Sequence, residues 1–255
     1  MRVCLVRPPS IINPLAYIGS LTPPIGLAYL AASLRKAGHD VSLVDGIGEN
    51  PEQSTPLAGN LVARGLTFDE IVARIPPGAQ LVGVSGMFSS EWTQIRELVN
   101  RIAAAHPAVP LVAGGEHFTA AAEVSMRQCP GLDICVMGEG EETLVELTQA
   151  IVAGSNLEAV AGLVLRRADG TFHRTETRAR LREVDAITQP AWDLVPLENY
   201  LSRSLVTAST AAAACPCWPR ADAPTSARSA PAPRCGPPNG SRATLPKFWL
   251  KWKLI

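Results

Sequence analysis

No run of apolar residues in this 255-residue chain reaches the roughly 18 that a membrane-spanning helix needs, so no membrane partner is expected. A surplus of charge is missing too: Lys and Arg number 23, Asp and Glu 23, and no basic stripe crosses the first two hundred residues. Phosphate backbones are bound by clustered Lys and Arg, so nucleic acid is excluded as an expected partner. No secretory leader opens the chain, because Met1–Val6 runs straight into a strand-like segment and a proline turn. Nor do the cysteines form a secreted framework: Cys4 and Cys135 lie in apolar runs, Cys129 at a helix end, and Cys215, Cys217 and Cys235 near the C-terminus. A free cysteine in an apolar run behaves as a small core hydrophobe, and a reducing cytoplasm is the expected compartment.

Aliphatic residues are almost lost after Val206. From Thr207 the chain becomes Ala, Pro, Arg, Ser and Cys, as in Cys215-Pro216-Cys217-Trp218-Pro219-Arg220. Such a stretch cannot bury enough apolar surface to offset its ordering entropy, and proline is excluded from helix interiors and central strands. Residues 207–255 are therefore expected to be a low-complexity, disordered tail, and function is expected to reside in the first two hundred residues.

That first part alternates strands and helices. Strands are expected at Arg2–Val6, Val41–Val44, Leu81–Ser85, Leu111–Ala113 and Ile134–Met137. Between them, helices are expected at about Pro24–Lys36, capped by Thr22 and stopped at Gly38, and from a Thr67-Phe68-Asp69-Glu70 capping box to Ile75. Ser90–Ala105, Thr119–Gln128 and Glu141–Ala153 complete the set, while Glu49–Arg64 is polar and aperiodic and reads mostly as loop. Parallel strands joined by right-handed helical crossovers give a doubly wound, Rossmann-like α/β fold with a five-stranded parallel sheet, over residues 1–155. Residues 156–206 read as a small β-hairpin around Asp169-Gly170 followed by an extended linker, Asp185–Tyr200, packed by Trp192.

Ligands of such sheets bind outside the carboxyl ends of the strands. Five loops gather there, Arg7–Ser10, Asp45–Gly48, Ser85–Ser90, Gly114–Thr119 and Gly138–Glu142, and three are built of Gly, Ser and small residues. Their small residues favour a large, flat or extended cofactor. Gly138-Glu139-Gly140-Glu141-Glu142-Thr143 lacks the third glycine of a dinucleotide turn, and its three carboxylates would repel a pyrophosphate, which argues against NAD. It reads either as a tight turn opening a helix or as a ligand-lining crest. His117 has no second ligand at a metal-binding spacing, and a lone His at a loop–helix junction more often hydrogen-bonds than ligates.

In order and spacing, Arg7-Pro8-Pro9, Thr22-Pro23-Pro24-Ile25-Gly26-Leu27-Ala28-Tyr29-Leu30-Ala31, Gly38-His39-Asp40-Val41 and Asp45-Gly46 form the first part of a recognisable series. Val82-Gly83-Val84-Ser85, Gly114-Gly115-Glu116-His117, Val136-Met137-Gly138-Glu139-Gly140-Glu141 and Pro190-Ala191-Trp192-Asp193-Leu194 complete it. Over residues 1–205 the chain resembles the N-terminal cobalamin (B12)-binding domain of cobalamin-dependent radical SAM enzymes. The resemblance implies cobalamin held over the carboxyl ends of the strands by Thr22, Gly26, Ser85, Gly114, Gly115, His117, Gly138, Glu139 and Gly140. The Asp-x-His-x-x-Gly of methionine synthase-type domains is replaced by Arg7-Pro8-Pro9-Ser10-Ile11, so no cobalt-ligating His is expected from that loop.

In that family a Cys-x-x-x-Cys-x-x-Cys loop after the linker holds a [4Fe–4S] cluster that cleaves S-adenosylmethionine. Cys215-Pro216-Cys217 and Cys235 do not match this spacing. The expectation is a reading-frame shift between about Leu205 and Cys215, leaving a methyltransferase- or cyclase-type enzyme fragment that binds a corrinoid but is inactive by itself. The alternatives are a stand-alone corrinoid-binding regulatory or carrier module, and a nucleotide-binding α/β enzyme.

Overall fold

The computed structural model describes residues 1–13, 21–179 and 188–201. In chain order the first elements are β1 (Arg2–Arg7), β2 (Ser10–Ile12), α1 (Ile25–Lys36), β3 (Asp40–Asp45), β4 (Ser54–Leu57), β5 (Leu61–Arg64) and α2 (Phe68–Arg74). There follow β6 (Leu81–Ser85), α3 (Trp92–Ala105), β7 (Leu111–Gly114), α4 (Glu116–Gln128), β8 (Ile134–Val136) and α5 (Gly140–Ala153). Last come β9 (Leu163–Arg166), β10 (Phe172–Arg174) and the short α6 (Leu197–Leu201).

The main sheet runs β10-β9-β8-β7-β6-β1-β3. Strands β3, β1, β6, β7 and β8 are parallel, as expected, and counted along the chain their spatial order is 2-1-3-4-5. This is the flavodoxin-like doubly wound order, whose winding reverses between β1 and β6. Strand β1 shows why its residues form a central strand. Val3 and Leu5 enter the core beneath α1 and α5, with Leu27, Ala31, Leu34, Leu144 and Leu147. Cys4 and Val6 face the other way, against Ile71 of α2, Ile95, Leu98 and Ile102 of α3, and Phe118 and Met126 of α4. Covered on both faces, the strand reads as an unbroken apolar run.

Helix ends follow local chemistry. At the end of α1, Gly38 (φ +86°) donates its N–H to Arg35 O at 2.9 Å, and His39 donates to Leu34 O at 3.1 Å. This Schellman closure requires the left-handed backbone that glycine supplies. Helix α2 opens on the expected capping box: Glu70 N–H donates to Thr67 Oγ1 at 3.2 Å and Thr67 N–H to Glu70 Oε2 at 2.8 Å.

Three expectations need correction. Thr22 does not cap α1. Pro23 and Pro24 carry the chain one step further, the cap is Pro24, and no side chain bonds the first turn. Glu49–Arg64 is not mostly loop: β4 and β5 form an antiparallel hairpin that also pairs with β2. Its turn passes through Gly59 (φ +72°) and Asn60 (φ +58°), and Pro56 is tolerated because β4 is an edge strand. Residues 188–201 are not an extended linker. They turn at Trp192–Leu194, enter α6 and lie back on the domain, where Ala191 N–H donates to Ala28 O at 2.9 Å.

The hairpin β9–β10 forms around Asp169-Gly170 as expected. It adds to the main sheet antiparallel to β8, so the sheet has seven strands among the described residues. The start of the anticipated linker, Asp185–Ile187, and the whole tail, with Cys215, Cys217 and Cys235, lie outside the described residues.

Candidate functional site

Parallel register brings the strand ends level. Arg7 pairs with Asp45, Val6 with Val84, Ser85 with Gly114, and Gly114 with Val136. The segments leaving these five strands therefore emerge on one edge, beside the point where the winding reverses. Such an edge is where open α/β sheets bind ligands.

The glycines on this edge do different jobs. A β-carbon at Gly115 (φ +114°) would come within 2.5 Å of Gly86 O, and one at Gly86 within 2.5 Å of the Phe118 ring. Gly86 N–H also donates to Gly114 O at 2.8 Å. This glycine pair thus lets the crests after β6 and β7 touch backbone to backbone. A β-carbon at Gly140 would meet Leu30 Cδ2 at 3.0 Å, so here α5 approaches α1. Gly26 and Gly138 differ, for a β-carbon at either would have no atom within 4 Å. Gly138, with φ +68°, donates its N–H to Thr119 Oγ1 at 3.0 Å. Glu139 stands at the start of α5, its carbonyl accepting from Thr143 Oγ1 at 3.3 Å, and Ser85 is half-buried at the end of β6.

His117 faces inward. It is 6% exposed, its Nδ1 lies 2.9 Å from Ser89 Oγ, and its Nε2 lies 2.9 Å from Ser125 Oγ. Its ring stacks on Trp92 at 4.9 Å and meets Phe118 edge-on at 5.1 Å. Burial lowers its pKa below the ordinary histidine value. Ser85, Gly114, Gly115 and His117 thus share the β6–β7 crest, and Gly138, Glu139 and Gly140 the neighbouring β8 crest. Gly26 opens α1, and the exposed Thr22 lies just before it, its carbonyl accepting from Arg7 Nη1 at 2.8 Å.

Two features escaped sequence reasoning. The first is apolar: Met87 is 55% exposed and Phe88 59%, both on the β6 crest, and Ile25 is exposed at the start of α1. For Met87 and Phe88, their place inside the Ser85–Ser90 loop is the available signal. The second is a buried polar cluster. Tyr200 OH donates to Asp45 Oδ2 at 2.7 Å, Arg7 Nη1 donates to Tyr200 OH at 2.7 Å, and Arg7 stands 3.6 Å from Asp45 Oδ1. Arg7 and Asp45 end adjacent strands in register, which their spacing in the chain permits one to anticipate. The partner Tyr200, 155 residues beyond Asp45, could not be read that way. A separate cavity of about 440 Å³, lined in part by Pro107, Pro110, Asp133 and Arg167, lies at the opposite edge of the sheet and takes no part in this site.

The B12 binding domain family matches residues 14–148, more than half of the chain. The chain belongs to the B12-binding domain family. The cofactor of that family is cobalamin, as the resemblance implied. An uncharacterised methyltransferase of Pyrococcus horikoshii is 33% identical over 203 residues, covering 78% of this chain and 40% of that protein. An anaerobic magnesium-protoporphyrin IX monomethyl ester cyclase of Synechocystis is 30% identical over 208 residues, covering 78% and 37%. This B12-binding chain therefore spans about 40% of the length of the first of these curated relatives. Among solved structures, the cobalamin-dependent S-adenosylmethionine radical enzyme OxsB, with aqua-cobalamin and S-adenosylmethionine bound, has a TM-score of 0.59 at 17% identity, covering 79% of this chain and 25% of that one. The radical S-adenosylmethionine methyltransferase TsrM from Kitasatospora setae, with cobalamin and a [4Fe–4S] cluster bound, has a TM-score of 0.51 at 24% identity, covering 74% and 31%. These likenesses establish a shared fold.

The edge suits a corrinoid in two respects. The open positions at Gly26 and Gly138 leave room at the strand ends, and exposed Met87, Phe88 and Ile25 offer apolar surface to a broad ring. Among the described residues, no group of three His, Cys, Asp or Glu could hold a metal ion. No helix among the described residues is long and apolar enough to cross a membrane.

Proposed function

We propose that this chain is the corrinoid-holding domain of a cobalamin-dependent radical SAM enzyme, acting in methyl transfer or in ring-forming radical chemistry. The observation that carries the reading is the level row of strand ends, with open glycine positions beside exposed Met87 and Phe88. In this reading Thr22, Gly26, Ser85, Gly114, Gly115, Gly138, Glu139 and Gly140 line the cofactor, and His117 supports the crest from beneath. Cobalamin, when bound, supplies a cobalt centre able to carry a methyl group. The protein's own part is to hold the ring, to exclude water from its buried side and to present its other side to whatever domain follows. Residues 207–255 carry no Cys-x-x-x-Cys-x-x-Cys spacing, and in this reading they hold no [4Fe–4S] cluster.

The test is direct. Purified protein mixed with hydroxocobalamin and desalted should keep a visible corrinoid band, and a colourless protein overturns the reading. Gly26→Phe sharpens the experiment, because Gly26 lies in the first turn of α1 with open space around it and without positive φ. The substitution should leave the melting temperature nearly unchanged while abolishing retention. Full retention by that variant would place the corrinoid elsewhere.

A further inference from the structure

The hydrogens around His117 can be assigned one by one. Ser125 Oγ lies 2.9 Å from the carbonyl oxygen of Ala121, which can only accept, so the single hydroxyl hydrogen of Ser125 is spent there. Ser125 Oγ also lies 2.9 Å from His117 Nε2 and has no hydrogen left to give. The proton of that bond must therefore sit on Nε2. A buried imidazole is neutral at pH 7, which leaves Nδ1 bare. Nδ1 in turn lies 2.9 Å from Ser89 Oγ, so Ser89 donates its own hydrogen into the ring.

The relay fixes what Ser89 can offer outward. Its hydrogen is committed, and only oxygen lone pairs remain for a ligand. Ser89 is exposed, beside exposed Met87 and Phe88 on the crest at the reversal of winding. His117 cannot swing away to relax the arrangement, because Trp92 stacks on it at 4.9 Å and Phe118 closes its edge. Trp92 is itself tied down by Nε1–H donating to Gln128 Oε1 at 2.7 Å. Buried in this way, the imidazole is not placed to touch a ligand, whereas the serine it holds is.

We infer that Ser89 is a hydrogen-bond acceptor for an N–H donor on the rim of the bound corrinoid, and that His117 is its positioning residue. The inference rests on the cobalamin reading. The carboxamide side chains that ring a cobalamin supply such N–H donors, and the apolar Met87 and Phe88 suit the hydrocarbon between them. His117 then contributes through Ser89 and not as a cobalt ligand.

Dissociation constants for hydroxocobalamin, measured by visible titration on the full chain, test this. Ser89→Ala removes an exposed hydroxyl and should weaken binding roughly two- to tenfold, the range for one neutral hydrogen bond. His117→Phe keeps an aromatic ring against Trp92 but has no nitrogen for Ser89, and should weaken binding similarly. The double variant should bind no worse than Ser89→Ala alone, because both changes remove one device. Unchanged affinity in Ser89→Ala overturns the inference, as does a double variant whose loss is the product of the two single losses. Should His117→Phe fail to fold, Ser89→Ala and the ring ¹⁵N shifts of the native protein still decide. Those shifts should show a protonated Nε2 and a bare Nδ1 at pH 7, and the opposite tautomer refutes the relay. A wild-type protein that binds no hydroxocobalamin defeats the cobalamin reading itself, a result distinct from intact binding that ignores Ser89.

Discussion

Two histidines are held neutral by their surroundings, and this ties stability to pH. Burial lowers the pKa of His117, and burial together with the N-terminal ammonium of Met1, 3.3 Å from His39 Nδ1, lowers that of His39. In the unfolded chain both return to an ordinary value of about 6.5. Between the folded and ordinary values the unfolded state binds more protons, so stability rises with pH across that window. The full contribution is present above the ordinary histidine pKa and is lost as pH falls below it. Urea midpoints recorded from pH 7.5 down to pH 5 should therefore decline, and His117→Phe should flatten part of the decline, leaving the share of His39. A slope identical to wild type would show that His117 gains its proton without strain. The same residue shows where sequence reading stops. Its place beside Gly114-Gly115 marked it as part of the site, but only folded distances reveal that both nitrogens are consumed by Ser89 and Ser125.

At the scale of elements, legibility tracked burial. Strands β1, β6, β7 and β8 are covered on both faces, so each is a short apolar run, a pattern that survives in one dimension, and the edge strand β3 still keeps Val41 and Val44 buried. The hairpin β4–β5 is half exposed, interrupted by Pro56, and acquires its pairing with β2 from a segment about fifty residues earlier, so its local pattern was silent. The returning segment 188–201 escapes one-dimensional reading for a related reason. Trp192 looked like its anchor, yet Trp192 is only half-buried, whereas Tyr200 is wholly buried against Asp45 and Arg7. A β-carbon at Gly48 would clash with the Tyr200 ring at 2.5 Å, so that glycine makes the socket. Tyr200→Phe keeps the ring but strips a hydrogen-bond donor from buried Asp45 and an acceptor from Arg7. A buried polar group left short of a partner costs about 1–3 kcal/mol, and denaturant unfolding should show a loss of that size. Limited proteolysis should also cut the segment 188–201 sooner in the variant. A variant as stable and as resistant as wild type would mean that packing alone holds the segment.

At the scale of the whole molecule, the architecture was readable because few arrangements satisfy its constraints. Right-handed crossovers and two covered faces leave a doubly wound sheet, and that sheet places all five crests on one edge without any long-range information. The antiparallel addition of β9 and β10 to the same sheet was less visible, since a hairpin signal states its own pairing but not its neighbour. The break in composition after Val206 is a different kind of observation, for it concerns sequence alone. A segment under selection to fold would keep aliphatic residues at regular spacing, whereas a shifted frame in a GC-rich gene yields runs of Ala, Pro, Arg, Ser and Gly like those after Thr207. If the frame is shifted, the original coding sequence persists beside the translated one. Translating the other two frames downstream of Ser204 should then uncover Cys-x-x-x-Cys-x-x-Cys within a few tens of codons, followed by alternating strand and helix patterns. If neither frame contains that spacing, the frame-shift account fails and residues 207–255 are the protein's own sequence.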